Sequence, residues 1–178
     1  ASGIAALANG NDGSGGGAVV IGGGAQANRI GGTNPDPDSG CTGECNLISG
    51  NSVSGVGLYD ADTVSNVVSG NYIGTDSNGT SGIGNEGDGV TIWSAQDNLV
   101  GGDEPGERNL LSDNGFGISA VFSATQNTIL GNYIGTDATG TTDLGNASYG
   151  VLFHFGAHDN LVDRNLIAYT EPNEMHPT

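Results

Sequence analysis

The segment Asn127-Thr-Ile-Leu-Gly-Asn-Tyr-Ile-Gly-Thr-Asp137 has a close counterpart earlier in the chain, Asn66-Val-Val-Ser-Gly-Asn-Tyr-Ile-Gly-Thr-Asp76. The two copies are 61 residues apart (127 − 66), and the same offset relates Gly84-Asn85 to Gly145-Asn146. A fixed period of this kind is typical of solenoid proteins, in which each repeat buries its apolar face by stacking on its neighbours. The chain is therefore expected to be a stack of repeated units.

The apolar segments of each repeat are short, and they predict strands. Pairs of Asn-led triplets recur along the chain, and a longer apolar segment precedes each pair. These longer segments are Ala18-Val-Val-Ile, Gly57-Leu-Tyr, Gly89-Val-Thr-Ile-Trp, Gly117-Ile-Ser-Ala-Val-Phe and Gly150-Val-Leu-Phe-His-Phe. With 34 glycines among 178 residues to form tight turns, this pattern predicts an all-β fold. We expect a right-handed parallel β-helix of about five coils with three short strands per coil, over residues 1–168.

Asparagine begins the second and third strands of every predicted coil. Gly and Asn tolerate positive φ, so Asn is expected at the sharp corners. Stacked coils would also place equivalent amides above one another in hydrogen-bonded ladders. The two predicted ladders are Asn28, Asn66, Asn98, Asn127 and Asn160, and Asn46, Asn71, Asn109, Asn132 and Asn165.

The two ends of the chain differ from the repeats. Residues 1–10 resemble the end of the loop at 140–146, so the chain is expected to begin in mid-coil. This predicts end-to-end self-association or continuation into further repeats. Residues 169–178 contain two prolines and are expected to form a C-terminal cap or the start of a linker.

The charge balance is strongly acidic. The chain has no Lys and three Arg against twenty Asp and Glu, giving a net charge of −17. Binding to nucleic acid is not expected, because it requires a basic surface that displaces counterions from phosphate. Ca²⁺ is a possible partner, since it prefers carboxylate and carbonyl oxygens.

The two cysteines, Cys41 and Cys45, lie close together in Ser-Gly-Cys-Thr-Gly-Glu-Cys. A local disulfide is favoured over two free thiols and would indicate an oxidising compartment. No apolar segment approaches the roughly 20 residues that span a membrane, so membrane insertion is not expected.

The motifs Asn-x-Ile/Val-x-Gly-Asn-Tyr-Ile-Gly-Thr-Asp and Pro-Gly-x-Arg-Asn-Leu-Leu-Ser resemble those of bacterial extracellular right-handed parallel β-helix repeat proteins, which are pectin-lyase-like solenoids. The resemblance extends from about Ala18 to Ile167. It implies a secreted or cell-surface location. It implies little about activity, because β-helices include lyases, hydrolases, epimerases and adhesins, and a fold does not assign a function.

Catalytic candidates are few. A polysaccharide lyase needs a base and a cation, and the chain has no Lys, while Arg29, Arg108 and Arg164 stand in contexts typical of turns. A glycoside hydrolase needs two carboxyl groups roughly 5–10 Å apart. Candidate pairs are Asp60 with Asp62, Asp97 with Asp103, and Asp159 with Asp163, and Asp60, Asp62 and Asp159 are the residues selected from them. Ordinary solvated acids are the favoured interpretation.

Metal binding is considered at the acidic loops that contain Asp36, Asp38, Asp60 and Asp62. None matches an EF-hand or the nonapeptide of calcium-binding β-rolls. Asp is also common in turns without any metal. No cofactor is expected to be required, and Ca²⁺ is kept as a possible ligand.

Aromatic side chains recur on the first strand of successive coils. The strands present Tyr59, Ile92-Trp93, Val121-Phe122 and His154-Phe155 on successive coils. Of these, Tyr59, Trp93 and His154 are candidates for a ligand-binding stripe that stacks on sugar rings. A shift of one residue in strand register would instead turn these side chains into the core. The sequence leaves this choice open.

The sequence favours a non-catalytic structural or glycan-recognition segment of a larger secreted or cell-surface protein, with a polysaccharide or a cell surface as partner. The alternative is a polysaccharide-degrading enzyme acting along the face of the β-helix, a hydrolase rather than a lyase.

Overall fold

The structure, a computed structural model, describes residues 16–169, and these form a parallel β-helix. Within this range the chain contains three parallel sheets of five strands and one 3-10 turn at Pro105–Glu107. Sheet A comprises β1 (Gly17–Ile21), β4 (Ser54–Tyr59), β7 (Val90–Trp93), β10 (Ile118–Val121) and β13 (Val151–Phe153). Sheet B comprises β2 (Arg29–Gly31), β5 (Val67–Ser69), β8 (Leu99–Gly101), β11 (Thr128–Leu130) and β14 (Leu161–Asp163). Sheet C comprises β3 (Leu47–Ile48), β6 (Tyr72–Ile73), β9 (Leu110–Leu111), β12 (Tyr133–Ile134) and β15 (Leu166–Ile167).

Each coil contributes one strand to each sheet, and equivalent strands pair in parallel. In sheet A, for example, Val56 pairs with Val90, and Val90 pairs with Ile118. The predicted all-β fold of about five coils with three strands each is confirmed. The 61-residue repeat is two coils, since Val67 of β5 and Thr128 of β11 both pair with Leu99 of β8.

The interior of the coils is a narrow stack of aliphatic side chains. Alternate residues of each strand point inward, as expected from the two-residue period of a strand. Fully buried members of this core are Val56, Leu58, Val68, Ile73, Val90, Ile92, Val100, Leu111, Ile118, Ile129 and Ile134. In sheet A this alternation leaves Thr91 on the outer face, together with its pairing partners Gly57 and Ser119 on the two neighbouring strands.

Both predicted asparagine ladders form. In each step the backbone N–H and the side-chain amide of one Asn donate to Oδ1 of the next, as from Asn66 to Asn98 at 3.0 and 3.0 Å. The ladders run from Asn28 to Asn160 and from Asn46 to Asn165. A third ladder, which the sequence analysis missed, comprises Asn51, Asn85, Asn114 and Asn146. It runs along the corner between sheets C and A.

The prediction that the ladder asparagines adopt positive φ is wrong. None of the positive φ values among the described non-glycine residues belongs to an Asn. The left-handed residue usually precedes the Asn, as at Ser65 (φ 58°) and Gln126 (φ 57°). The left-handed conformation at these corners therefore lies one residue before the Asn, while the Asn side chain points along the ladder.

Loops cover the outer face of sheet C. Tyr72, Leu110 and Ala138 form a small buried cluster there, and the predicted disulfide between Cys41 and Cys45 packs against it. Arg108, which is 8% exposed, places its guanidinium 3.8 Å from the centroid of the Tyr133 ring. These contacts tie loops from different coils together over sheet C.

The predicted boundary at residue 169 lies at the limit of the described range. Tyr169 is described, and the remainder of the expected C-terminal cap or linker, 170–178, lies outside the described residues, as does the start of the predicted repeat region at 1–15.

Candidate functional site

The candidate site is an open cavity of about 710 Å³ on the outer side of sheet A, at the second and third coils. Two strands and the turn before β7 supply its chemistry. The polar and aromatic side chains that line the cavity include Ser54, Tyr59, Glu86, Asp88, Thr91 and Trp93. Concave sites that combine aromatic walls with a few polar groups are the usual form of a ligand site.

Asp88 is the most constrained polar group in the cavity. The hydroxyl of Thr91 donates to Asp88 Oδ2 at 2.8 Å, and the hydroxyl of Ser119, from the next coil, donates to the same oxygen. The backbone N–H of Asp88 donates to Ser54 Oγ at 3.1 Å, and Ser54 Oγ lies 2.9 Å from Thr91 Oγ1. Three coils therefore hold this carboxyl group in place.

The hydrogen bonds that described residues donate to the Asp88 carboxyl group go to Oδ2. Oδ1 receives none from residues 16–169, and Asp88 is only partly buried. Burial raises the pKa of the Asp88 carboxyl above its ordinary value, although the hydrogen bonds from Ser119 and Thr91 oppose this. Ionisation of this carboxyl group therefore costs free energy unless a further hydrogen-bond donor or a cation stabilises the charge.

Tyr59 folds back across its own strand toward Asp88. A Cβ atom on Gly57 would overlap Cε2 of the Tyr59 ring, so the absence of a side chain at position 57 makes room for the ring. Burial and, to a lesser extent, the negative charge of Asp88 raise the pKa of the Tyr59 hydroxyl. Tyr59 and Asp88 line the same cavity.

Trp93 lies at one end of a row of stacked aromatic rings that runs along the helix axis. Its ring centroid is 3.9 Å from that of Phe122, which is 4.6 Å from that of Phe155. One face of Trp93 is thus covered by Phe122, while the residue remains 43% exposed and lines the cavity. Trp93 can therefore offer the rest of its surface to a ligand in the cavity.

The predicted aromatic stripe is only partly assembled. Tyr59 and Trp93 share the cavity, and Tyr59 pairs with Trp93 in sheet A. His154 is exposed on the fifth coil, where its ring lies against Phe155 at a centroid distance of 4.1 Å. It does not line the cavity. The stripe continues instead through Phe122 and Phe155.

The candidate hydrolase residues lie on exposed turns outside the cavity on sheet A. Asp60 Oδ2 accepts a hydrogen bond from the Gly23 N–H at 2.7 Å, and Asp62 lies two residues further along the same exposed turn. Asp159 contacts His158 Nδ1 at 2.9 Å on the fifth coil. Asp62, the predicted partner of Asp60, shares its turn, and Asp163, the predicted partner of Asp159, ends β14 of the same coil. None of these four acids lines the cavity on sheet A, and their pairing as hydrolase carboxyl groups stays a prediction.

The candidate calcium ligands are also dispersed. Asp38 forms an ion pair with Arg108, and the backbone carbonyl of Asp36 accepts the N–H of Ser39 in a turn. Asp60 and Asp62 lie in a different loop. Over residues 16–169 no group of three or more His, Cys, Asp or Glu side chains is arranged to hold a metal ion. Calcium binding at these four residues therefore stays a prediction without geometric support.

Four residues of the site, Asp88, Thr91, Ser119 and Glu86, were not predicted from the sequence. A signal for Asp88 is present in Glu86-Gly-Asp88-Gly, where an acid directly precedes a core strand. What the sequence did not show is that Ser119, 31 residues away, would donate to this acid. That contact depends on the coil register.

Comparison with known families gives one assignment. Residues 25–149, which are 125 of the 178 residues, match the model of the family described as periplasmic copper-binding protein (NosD). The chain belongs to the NosD family. Neither a curated protein nor a solved structure matches the chain significantly. The family description agrees with the predicted location outside the cytoplasm at the level of the cell envelope.

The described residues of this NosD-family chain do not fit a copper ion. Copper prefers thiolate, thioether and imidazole ligands. Cys41 and Cys45 are joined in a disulfide, while His154 packs on Phe155 and His158 contacts Asp159. No cluster of three or more His, Cys, Asp or Glu residues that could hold a metal occurs in the described range. The single Met and the third His, Met175 and His176, lie outside it.

In the described part of this NosD-family chain, no helix has the length and hydrophobicity required to cross a membrane.

Proposed function

We propose that this chain is a non-catalytic recognition segment of an envelope or secreted protein, and that it binds glycans at the cavity on sheet A. The observation that carries the proposal is the combination of Trp93 and Asp88 in one open cavity. Sugar rings present apolar C–H faces that stack on aromatic rings, and hydroxyl groups that hydrogen-bond to carboxylates. Trp93 and Asp88 supply one group of each kind.

The rigid scaffold supports this role. Asp88 is fixed by hydroxyls from its own coil and from the next coil, and Trp93 is held by stacking on Phe122. Side chains that are already ordered lose little conformational entropy when a ligand binds. Loops cover sheet C with a packed apolar cluster, so the cavity is on a different side from those loops.

A test uses sedimentation with a panel of insoluble polysaccharides. We expect the wild-type protein to bind at least one of them, and Trp93→Ala to weaken that binding by about tenfold, the loss typical of one aromatic contact. Phe155→Ala is the matched control, because it removes an exposed ring of the same stack away from the cavity. Failure to bind any polysaccharide, or equal losses in both variants, would contradict the proposal.

The enzymatic alternative is a glycoside hydrolase, for which we propose the acids of the cavity as candidates. Asp88 and Glu86 both line the cavity, whereas Asp60 and Asp159 do not. A carboxyl group with a raised pKa is the type of group that acts as a general acid in hydrolysis. The hydrolase hypothesis therefore depends on Asp88 and Glu86 instead of the acids selected from the sequence.

A further inference from the structure

We propose that the cavity on sheet A selects glycans that carry free amino groups, and that their ammonium ions bind between the carboxyl groups of Asp88 and Glu86 and the rings of Tyr59 and Trp93. This inference rests on the proposed function and specifies the class of glycan.

The charges that line the cavity have one sign. Asp88 and Glu86 are acidic, and none of the described residues that line it is Arg or His. The whole chain carries a net charge of −17, which attracts cations over longer distances. Uronate or sulfated polymers would meet repulsion at this position, since no cation is available to bind their acidic groups.

The aromatic rings favour a cation as well. An ammonium ion over the face of Trp or Tyr is attracted by the ring quadrupole, and this attraction grows when the site is partly desolvated. Trp93 lines the cavity from one side, and Tyr59, placed across Gly57, lies within the electrostatic range of Asp88. Carboxylate and aromatic groups together form the usual environment for amine recognition.

The partly buried Asp88 provides the specific contact. Its Oδ2 is occupied by the hydroxyls of Thr91 and Ser119, which leaves Oδ1 to accept a charge-assisted hydrogen bond from a ligand. A neutral sugar hydroxyl could also donate to Oδ1, but an ammonium ion stabilises the ionised carboxylate more, because charge-assisted hydrogen bonds are roughly twice as strong as neutral ones. The preference for an amine therefore follows from the charge balance in the cavity.

The test uses the fluorescence of Trp93, the only Trp in the chain. Three soluble tetrasaccharides of one linkage serve as probes at a pH where amines are protonated. They are a glucosamine tetramer with free amines, its N-acetylated form and a neutral glucose tetramer. We expect the free-amine tetramer to bind about tenfold or more tightly than the other two, as charge-assisted contacts in a partly desolvated site predict. We expect high salt to reduce this preference.

Variants separate the cavity from the general negative charge. Asp88→Asn should remove most of the preference for amines, and Glu86→Gln, at an exposed position, should reduce it without affecting the fold. Asp62→Asn makes the same change in net charge at an exposed turn outside the cavity, and should leave the preference intact. Circular dichroism would verify folding of each variant.

The outcomes distinguish the two proposals. Equal affinity for all three tetramers would overturn the amine inference and leave glycan recognition standing. Retention of the amine preference in both Asp88→Asn and Glu86→Gln would also overturn the inference. No binding of any tetramer, together with no sedimentation on any polysaccharide, would overturn the proposed function itself.

Discussion

Asn71 donates both its backbone N–H and its side-chain amide to Oδ1 of Asn109, at 3.0 and 3.1 Å. Both residues are fully buried, and Asn71 also accepts the equivalent pair of bonds from Asn46. Every buried polar atom at this corner thus has a partner from the coil above or below. Because unpaired buried polar groups are costly, the ladders tie the stability of each coil to that of its neighbours.

Removal of one interior ladder residue is therefore expected to destabilise the whole stack. Asn71→Ala would remove the acceptor of the two Asn46 donors and the side-chain amide that donates to the carbonyls of Ile30 and Ser69, while the backbone N–H of residue 71 could still donate to Asn109 Oδ1. We expect a loss of about 3 kcal/mol in unfolding free energy. Asn28→Ala, at the exposed first step of another ladder, should cost less than about 1 kcal/mol. Urea denaturation would measure both, and equal losses would contradict the account of the ladders.

Arg108 acts as a structural clamp over sheet C. Its guanidinium lies on the Tyr133 ring, pairs with Asp38 and donates to the Ala138 carbonyl. A lysine cannot reproduce the planar fork, so Arg108→Lys is expected to lower the unfolding free energy by about 2 kcal/mol. Arg29→Lys, at a half-exposed ion pair with Glu44, is the control and should cost below about 0.5 kcal/mol. Loss of stability only in Arg29→Lys would refute this role.

The disulfide between Cys41 and Cys45 closes a loop of five residues, with its Cα atoms 5.3 Å apart. The entropy model gives about 2 kcal/mol of stabilisation for so short a loop. We expect the Cys41→Ser, Cys45→Ser double variant to lose no more than this and to keep its β-helix, since ladders and core hold the coils. Thermal unfolding followed by circular dichroism would measure the effect. Loss of the fold would show that the loop does more than cover sheet C.

Burial of the Asp88 carboxyl group should affect how the free energy of unfolding depends on pH. Burial raises its pKa in the folded protein above the value in the unfolded chain. The folded state therefore binds the proton more tightly, and the cost of ionising Asp88 is present above the folded pKa and disappears as the pH falls below the unfolded value. Asp88→Asn removes this cost.

We therefore expect Asp88→Asn to be more stable than wild type at neutral pH, and the difference to shrink as the pH falls toward the ordinary range of a carboxyl group. Urea midpoints at a series of pH values would measure the difference, with Asp62→Asn as the control for net charge. A difference that grows on acidification would contradict the assigned environment of Asp88.

The sequence was sufficient for the fold because the fold is repetitive. The Asn-led triplets predicted the strands of sheets B and C, and the longer apolar segments predicted the strands of sheet A. The third ladder was missed because Asn51, Asn85, Asn114 and Asn146 are not followed by an apolar triplet. The positive φ of each corner was predicted at the Asn, whereas it lies at the preceding residue. Both positions are compatible with a sharp corner, and only the backbone conformation shows which residue is left-handed.

The candidate site was harder to predict for a different reason. Whether Trp93 faces in or out depends on a register shift of one residue, and the pairing that places Ile92 in the core and Trp93 outside is a property of the stack. Asp88 gains its environment from Ser54 and Ser119, which belong to other coils. Contacts between coils do not follow from local patterns in the sequence.

The central claim is that the cavity recognises a glycan without cleaving it. The most direct measurement is the release of reducing ends from the polysaccharide that retains the protein, measured on the bound material. The account predicts retention of the wild-type protein and no release above the protein-free background. Release that is abolished by Asp88→Asn and unaffected by Asp60→Asn would contradict it, and would assign hydrolysis to the cavity on sheet A.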